Sequence, residues 1–350
     1  MNQKIVVHIS IDGLTPHTIS ELGERNLPTI YYLQKNGIFT HDARTDPNYT
    51  ITLPNHSTMF TGRGVRTAIV NGVAQHGHYI TFNSNNNNHI HAITKNYVYS
   101  IFDIVKNSGY RSGMFVGKSK FEFLNASYND NTGVNMTSDG IDEIDIFYKS
   151  DEYKMISDTE TNTFNGSTNI GSNNETIPIV QNFINTFNSD SYCHYNFIHF
   201  RGTDSVGHMY GWDSDEYKYA LRGIDHDLAS IVETLQSSSN NCYIILTSDH
   251  GGGGSSAGES RNHHDPDYAI NFTIPLYVWR NDDVMKNMNR DIYSYNPQRV
   301  KPPVDINPQY EDNNVPIRNG DIANLALKLL TLPKVPGSWI NSDQDLFIPA

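Results

Sequence analysis

Apolar positions recur along this chain in two rhythms, and together they predict strands alternating with helices. Residues 5–11 are β-branched and nearly continuous in apolar character, the pattern of a strand buried on both faces of a parallel sheet. Residues 195–200, 243–246 and 273–279 read the same way, and residues 111–116 give a further strand. Between these runs the period changes to that of a helix. Residues 27–33 predict a helix that begins near Pro28 and is ended by Gly37. Residues 99–108 place Ile101, Ile104 and Val105 on one face and stop at Gly109. Another helix begins over 176–179 and runs through Phe187. Residues 217–235 carry Leu221, Ile224, Leu228, Ile231, Val232 and Leu235 at helical spacing, and residues 321–330 form a last helix. A short helix is expected over 57–61, after a turn at Pro54-Asn55. This alternation predicts an α/β fold: a mostly parallel central sheet with helices on both faces.

The 350 residues can bury a large core, and they are read as one catalytic domain, 1–350. Residues 125–175, rich in Asn, Ser, Thr and Asp, interrupt the pattern and are expected to form a polar surface insertion. A net charge of −13 argues against a nucleic-acid polymer as partner, since that would need a basic surface. No apolar run approaches the ~20 residues of a membrane-spanning helix, so no transmembrane anchor is expected. Residues 1–4 lead straight into the first strand with no secretory apolar region. A secreted or periplasmic chain whose leader had been removed would start the same way, so the compartment stays open. Cys193 and Cys242 sit in strand-like runs and read as free buried thiols.

The chemistry gathers where strands end. Asp12, Asp204 and Asp249 each follow a strand, and three carboxylates at one sheet edge could not all stay ionised without a counter-cation. Histidines accompany them. His208 follows Asp204 at i+4, His250 adjoins Asp249, and His263 lies in a short loop beyond Gly251 to Gly254. A single histidine among the 15 is more often a surface or satisfied core residue; the set points to a metal. Mixed Asp and His ligands suit zinc or a similar transition metal better than magnesium or calcium. Thr52, in Thr52-Leu53-Pro54-Asn55-His56, is the candidate nucleophile, a weak one until metal coordination favours its alkoxide. A second metal would polarise the phosphoryl oxygen and stabilise the leaving oxygen. Thr52 also reads as a helix N-cap, and both roles can hold together.

Asp12-Gly13, the Thr52 pentapeptide, Asp204-x-x-Gly207-His208, Ser248-Asp249-His250-Gly251 and the later His263 resemble, in this order, the alkaline phosphatase superfamily. Within it they are most similar to the type I phosphodiesterase / nucleotide pyrophosphatase group, over residues 4–340. The resemblance implies the three-layer sandwich of that superfamily. It also implies hydrolysis of a phosphodiester or phosphoanhydride bond in a nucleotide or other small phosphorylated substrate, with two divalent metal ions, zinc by preference. Asp12, Thr52, Asp249 and His250 would hold one ion. Asp204, His208 and His263 would hold the other, with His264 as the competitor of its neighbour. Asn83, with Asn71 as competitor, would join the nucleophile's backbone N–H in binding a phosphoryl oxygen. Lys118 and Lys120 are similar to a segment of bacterial members; they either attract an anionic substrate or are ordinary surface lysines.

The Cys/Ser-x-Pro-x-Arg pattern of sulfatases is missing. No Arg closely follows Thr52 as in monoesterase relatives, and this favours a diester monoanion. A phosphomonoesterase or phosphonate hydrolase on the same scaffold is the alternative, and a non-catalytic metal- or phosphate-binding protein a distant one.

Overall fold

The structure, a computed structural model, describes residues 2–84, 90–91, 93–94, 96–125, 145–147, 172–190, 192–254 and 265–349. Strand β1 (Lys4–Ile11) leads into helices α1 (Pro16–Asn26) and α2 (Pro28–Lys35), strand β2 (Gly37–Arg44) and helix α3 (Thr52–Thr61). A hairpin follows, β3 (Ala68–Val70) and β4 (Val73–Gln75), and then α4 (Ile101–Asn107), β5 (Ser112–Val116) and α5 (Glu122–Asn125). The chain continues through β6 (Asp145–Phe147), α6 (Ser172–Phe187), β7 (Tyr195–Phe200), α7 (Gly202–Tyr210), α8 (Asp215–Gln236) and β8 (Asn241–Thr247). It closes with α9 (Ala269–Phe272), β9 (Thr273–Arg280), the two-residue β10 (Arg290–Asp291) and α10 (Ile322–Leu330). Eight strands form one sheet in the order β10-β2-β9-β8-β1-β7-β5-β6. β1 lies at its centre, parallel to both β7 and β8, and β5 is parallel to β7 and β6.

Alternate residues of β1 divide the interior. Ile5, Val7, Ile9 and Ile11 pack with Ile30 and Leu33 of α2, Phe183 of α6 and the Leu221, Ile224, Leu228 and Ile231 ridge of α8. Val6 faces the other way, into a core with Phe60 of α3, Phe102 of α4 and Leu325 of α10. Helices thus cover both faces, as the alternation predicts. Helix α8 shows how local signals agree with packing. The Ser214 side chain accepts from the Tyr217 N–H, and Asp215 and Glu216 occupy the first turn. Its six spaced apolar residues are buried, each contributing about 1.5–3 kcal/mol.

Three expectations are corrected. Strand β9 runs antiparallel to both β2 and β8, because its entry from α9 brings it back along the sheet. Gly37 stands just past the Asn36 cap of α2, as expected, and also opens β2; a Cβ there would lie 2.4 Å from the Val278 carbonyl oxygen and 2.7 Å from that of Leu33. Helix α3 begins at Thr52, not near Ser57. Pro54 is its third residue, where a missing N–H costs no intrahelical bond. Thr52 is therefore the first helical residue, and Ile51 is the cap. Helix α6 starts at Ser172, ahead of the expected Thr176. Helix α1 and the β3–β4 hairpin had no counterpart in the apolar pattern. Cys193 and Cys242 are free and buried. Of the expected insertion over 125–175, only Asn125, the edge strand β6 and the start of α6 fall among the described residues. No helix among those residues is long and apolar enough to cross a membrane.

Candidate active site at the carboxyl edge of the sheet

Four neighbouring parallel strands, β8, β1, β7 and β5, end at one place, and each delivers polar side chains just beyond its last residue. Asp12 follows β1, Lys118 follows β5, Asp204 stands in the first turn of α7 after β7, and Asp249-His250 follow β8. Candidate ligand atoms of Asp12, Asp204 and His250 all lie within 4.8 Å of one another. Asp12, Asp249 and His250 are fully buried, and Asp204 is nearly so. The Thr203 hydroxyl donates to the Asp12 carbonyl at 2.5 Å and ties α7 to the end of β1. Glycines permit the approach: a Cβ on Gly252 would fall 1.7 Å from the Trp212 indole nitrogen, and one on Gly251 would fall 1.8 Å from the Ile270 carbonyl oxygen.

The His250 ring has a defined tautomer. Its Nδ1 donates to the Gly251 carbonyl at 2.7 Å, so in the neutral ring Nε2 holds the lone pair. That nitrogen faces Asp12 Oδ1 at 3.4 Å, Asp249 Oδ2 at 3.4 Å and Asp204 Oδ1 at 4.0 Å. Asp12 Oδ1 and Asp249 Oδ2 accept no hydrogen bond among the described residues. A lone pair and carboxylate oxygens converging in a buried space are a donor set that a divalent cation would complete. The carbonyl bond on the far ring nitrogen is the usual support of a ligating histidine.

Charge in the cluster is uneven. Burial would raise the Asp12 carboxyl, but Lys118, the hydrogen bond from His199 and the charges of His199 and His250 hold it well below the usual range. Asp249 goes the other way: burial, then the neighbouring Asp12 charge, pushes it up to about 7. Burial works against a charged His250, yet Asp249, Asp12 and Asp204 raise it above the ordinary histidine value. His208 is lowered by burial; its Nε2 is 3.5 Å from Asp204 Oδ1, one turn away on α7.

Thr52 reaches this cluster through His56. The His56 Nδ1 donates to the Thr52 carbonyl at 2.8 Å and lies 3.6 Å from Asp249 Oδ2. Its Nε2 pairs with the Ser10 hydroxyl at 2.9 Å. Burial, then the neighbouring His199, keeps His56 well below the ordinary histidine value, so it is neutral. Asn83 stands at the same helix start. Its Oδ1 accepts from the Leu53 N–H and from Lys120 Nζ, each at 3.0 Å. Asn71, its competitor, is an exposed residue of the β3–β4 turn at φ 52°.

The structure thus brings Asp12, Asp204, Asp249 and His250 together, with His208 beside Asp204. Thr52 and Asn83 share the start of α3. His263 and His264 lie outside the described residues.

Of the two readings the sequence left open for Lys118 the structure excludes one, and His199 was not singled out at all. Lys118 is no surface lysine: it is 8% exposed and its ammonium bridges Asp12 Oδ2 and Asp204 Oδ2, the latter at 2.8 Å. Those two charges raise its pKa above the ordinary lysine value against the effect of burial. Lys120 is lowered to about 8 by burial and by Lys118. His199, on β7, meets Asp12 Oδ2 through Nε2 at 3.0 Å. A polar residue inside an otherwise apolar buried strand was the available signal for it.

Comparisons with solved structures support the fold. The soluble domain of lipooligosaccharide phosphoethanolamine transferase A from Neisseria meningitidis is 10% identical, with a TM-score of 0.57; the match covers 99% of this chain and 92% of that one. The C-terminal periplasmic domain of EptC from Escherichia coli, in complex with zinc, is 12% identical, with a TM-score of 0.54 and coverages of 95% and 84%. The corresponding domain of the phosphoethanolamine transferase EptC from Campylobacter jejuni is 15% identical, with a TM-score of 0.51 and coverages of 98% and 94%. No curated protein matches by sequence. The family model for type I phosphodiesterase / nucleotide pyrophosphatase matches residues 6–323, a span that takes in the sheet except the first two residues of β1, and the whole strand-end cluster. The chain belongs to the type I phosphodiesterase / nucleotide pyrophosphatase family.

Proposed function

We propose that residues 1–350 form one catalytic domain that hydrolyses a phosphodiester or phosphoanhydride bond in a small phosphorylated substrate, such as a nucleotide, with Thr52 as nucleophile. The observation that carries this reading is the convergence of Asp12, Asp204 and His250 within 4.8 Å, joined through Asp249 and His56 to the helix turn that bears Thr52. Two divalent ions, zinc by preference, would be held by Asp12, Thr52, Asp249 and His250 on one side and by Asp204, His208 and His263 on the other. When bound, they supply Lewis-acid activation and charge neutralisation at the phosphoryl group. The chain's own part is positional. His56 fixes the Thr52 carbonyl, and the positive end of the α3 dipole would favour an anion beside Thr52. Asn83 anchors that start by accepting from the Leu53 N–H through Oδ1, and its Nδ2 would be the donor to a phosphoryl oxygen. The Thr52 oxygen would form a bond to phosphorus as its proton is lost, and the ester oxygen would leave with its electron pair and take up a proton; water would then attack phosphorus, break the Thr52–phosphorus bond, release the phosphate product and restore the threonine hydroxyl.

One observation favours the second reading, a phosphomonoesterase. The positive charge not found near Thr52 in the sequence arrives through space, as Lys118 in the cluster and Lys120 on Asn83. Such a pair suits a dianion. Bis(p-nitrophenyl) phosphate against p-nitrophenyl phosphate separates the two: a higher kcat/KM on the diester is expected, and a ratio favouring the monoester replaces the first reading by the second. Thr52→Ala is expected to lower turnover by a factor on the order of 10⁴ or more, with metal content nearly unchanged. Retained activity in that variant removes Thr52 as nucleophile.

A further inference from the structure

A pair of buried asparagines joins the nucleophile's helix to the metal-ligand strand. Asn55 is the fourth residue of α3 and fully buried, and its amide is saturated. Its Nδ2 donates to the carbonyls of Tyr49 at 2.8 Å and Ile51 at 3.1 Å. Its Oδ1 accepts from the Asp46 N–H at 3.0 Å and from Asn319 Nδ2 at 2.9 Å. Two donors and two acceptor sites are all that a primary amide possesses. Ile51 immediately precedes Thr52, so Asn55 grips the residue from which the helix starts. Asn319, also fully buried, spends its second Nδ2 hydrogen on the Asp249 carbonyl at 3.4 Å.

Asn319 is itself held firmly. It opens a one-turn 3-10 helix, Asn319–Asp321, that is capped by the Asp321 carboxylate on the Arg318 N–H at 2.7 Å. The Arg318 guanidinium donates to the Thr45 carbonyl at 2.7 Å and to Asn307 Oδ1 at 2.8 Å. Gly320 packs so closely on α3 that an added Cβ would lie 2.9 Å from Thr58 Cγ2. One side chain, fixed from behind, thus contacts both the helix that presents Thr52 and the backbone of Asp249.

We infer that Asn319 is a positioning residue: through Asn55 it sets where Thr52 stands relative to the Asp249-His250 end of β8. It touches neither substrate nor reacting atoms. The inference rests on the reading of Thr52 as nucleophile. A misplacement of about 1 Å at a reacting group can cost about 100-fold in rate, so the loss should appear in kcat.

The test is a set of variants, Asn319→Ala, Asn55→Ala and the double variant, purified with zinc. Each is assayed on bis(p-nitrophenyl) phosphate, with zinc content and thermal melting measured on the same samples. Asn319→Ala is expected to lower kcat about 10- to 100-fold while KM, zinc content and the folded fraction at assay temperature stay near wild type. The double variant should lose no more kcat than Asn55→Ala alone, because both changes break one clamp. The inference is overturned if Asn319→Ala keeps kcat within about twofold, if its loss tracks lost zinc or unfolded protein, or if the two losses multiply. Thr52→Ala run in parallel keeps the two readings apart. An active Thr52→Ala removes the nucleophile, whereas an inactive Thr52→Ala beside a fully active Asn319→Ala removes only the clamp.

Discussion

Two clusters of buried charge occur in this fold, and they are finished differently. Around Arg44, Arg318 and Arg299 the cations are spent on oxygens of the protein itself. Arg44 donates to the carbonyls of Ile306, Asp42, Ala43 and Pro303, Arg318 to those of Thr45 and Pro308, and Arg299 pairs with Asp321 at 2.8 Å. At the carboxyl edge of the sheet, Asp12 Oδ1 and Asp249 Oδ2 receive no hydrogen bond among the described residues and face histidine nitrogens at 3.4–3.6 Å, whereas Asp321 Oδ1, likewise without a hydrogen bond, faces the Arg299 cation at 2.8 Å. Buried polarity that is internally satisfied holds structure together. Buried polarity left open costs stability unless something arrives to complete it.

Three perturbations test that contrast. The largest effect is expected from Arg318→Met, which leaves the Thr45 and Pro308 carbonyls and the Asn307 side chain without their donor. It should lower stability by about 3–5 kcal/mol in denaturant titration while the stabilisation gained on adding zinc stays as in wild type. If zinc no longer stabilises that variant, the two clusters are one system. Next is Lys118→Met, which removes the cation bridging Asp12 and Asp204. Metal-free protein should lose about 2 kcal/mol, and zinc should then raise the melting temperature by more than in wild type. An unchanged metal-free melting temperature would show that the lysine bridge does not matter.

The smallest effect at neutral pH concerns His8, which is neither saturated nor charged. Its Nδ1 meets the Tyr195 hydroxyl at 2.9 Å and its Nε2 has no hydrogen-bond partner among the described residues. Burial lowers its pKa from 6.5 to about 3. Between those values the unfolded chain binds the additional proton, so stability is full above about pH 6.5 and falls as pH drops toward 3. The slope for one histidine is about 1.4 kcal/mol per pH unit. His8→Gln should flatten the acid limb of a stability–pH curve by that amount, and an unaltered slope would mean that His8 does not carry it.

The sequence made the strand-end logic legible because residues 5–11, 195–200 and 243–246 are apolar on both faces, and Asp12, Asp204 and Asp249 come straight after them. β2 stayed hidden because Thr40, His41 and Asp42 break its apolar run and a glycine opens it. The reversal of β9 depends on which strands flank it, which its composition does not encode. For Lys118 the sequence left a substrate-attracting and a surface reading open, since its burial follows from β5 lying beside β7 in the sheet. Asn55 and Asn319 are 264 positions apart, and no local pattern links them. His263 reads from the sequence as a ligand of the second ion and lies outside the described residues.

The central place of β1 has a consequence for how the protein is made. It is made before the other strands of the sheet, yet its two neighbours are residues 195–200 and 241–247. At roughly 5–20 residues per second, the nascent strand waits about 10–40 s before its first side can be covered and about 10–50 s before both can. Asp12 therefore has no Asp249 beside it until most of the chain has left the ribosome. Anything that needs the assembled cluster can bind only after that point, and Ile5 to Ile11, apolar on the face it turns to α2 and α8, lacks its partner strands until then.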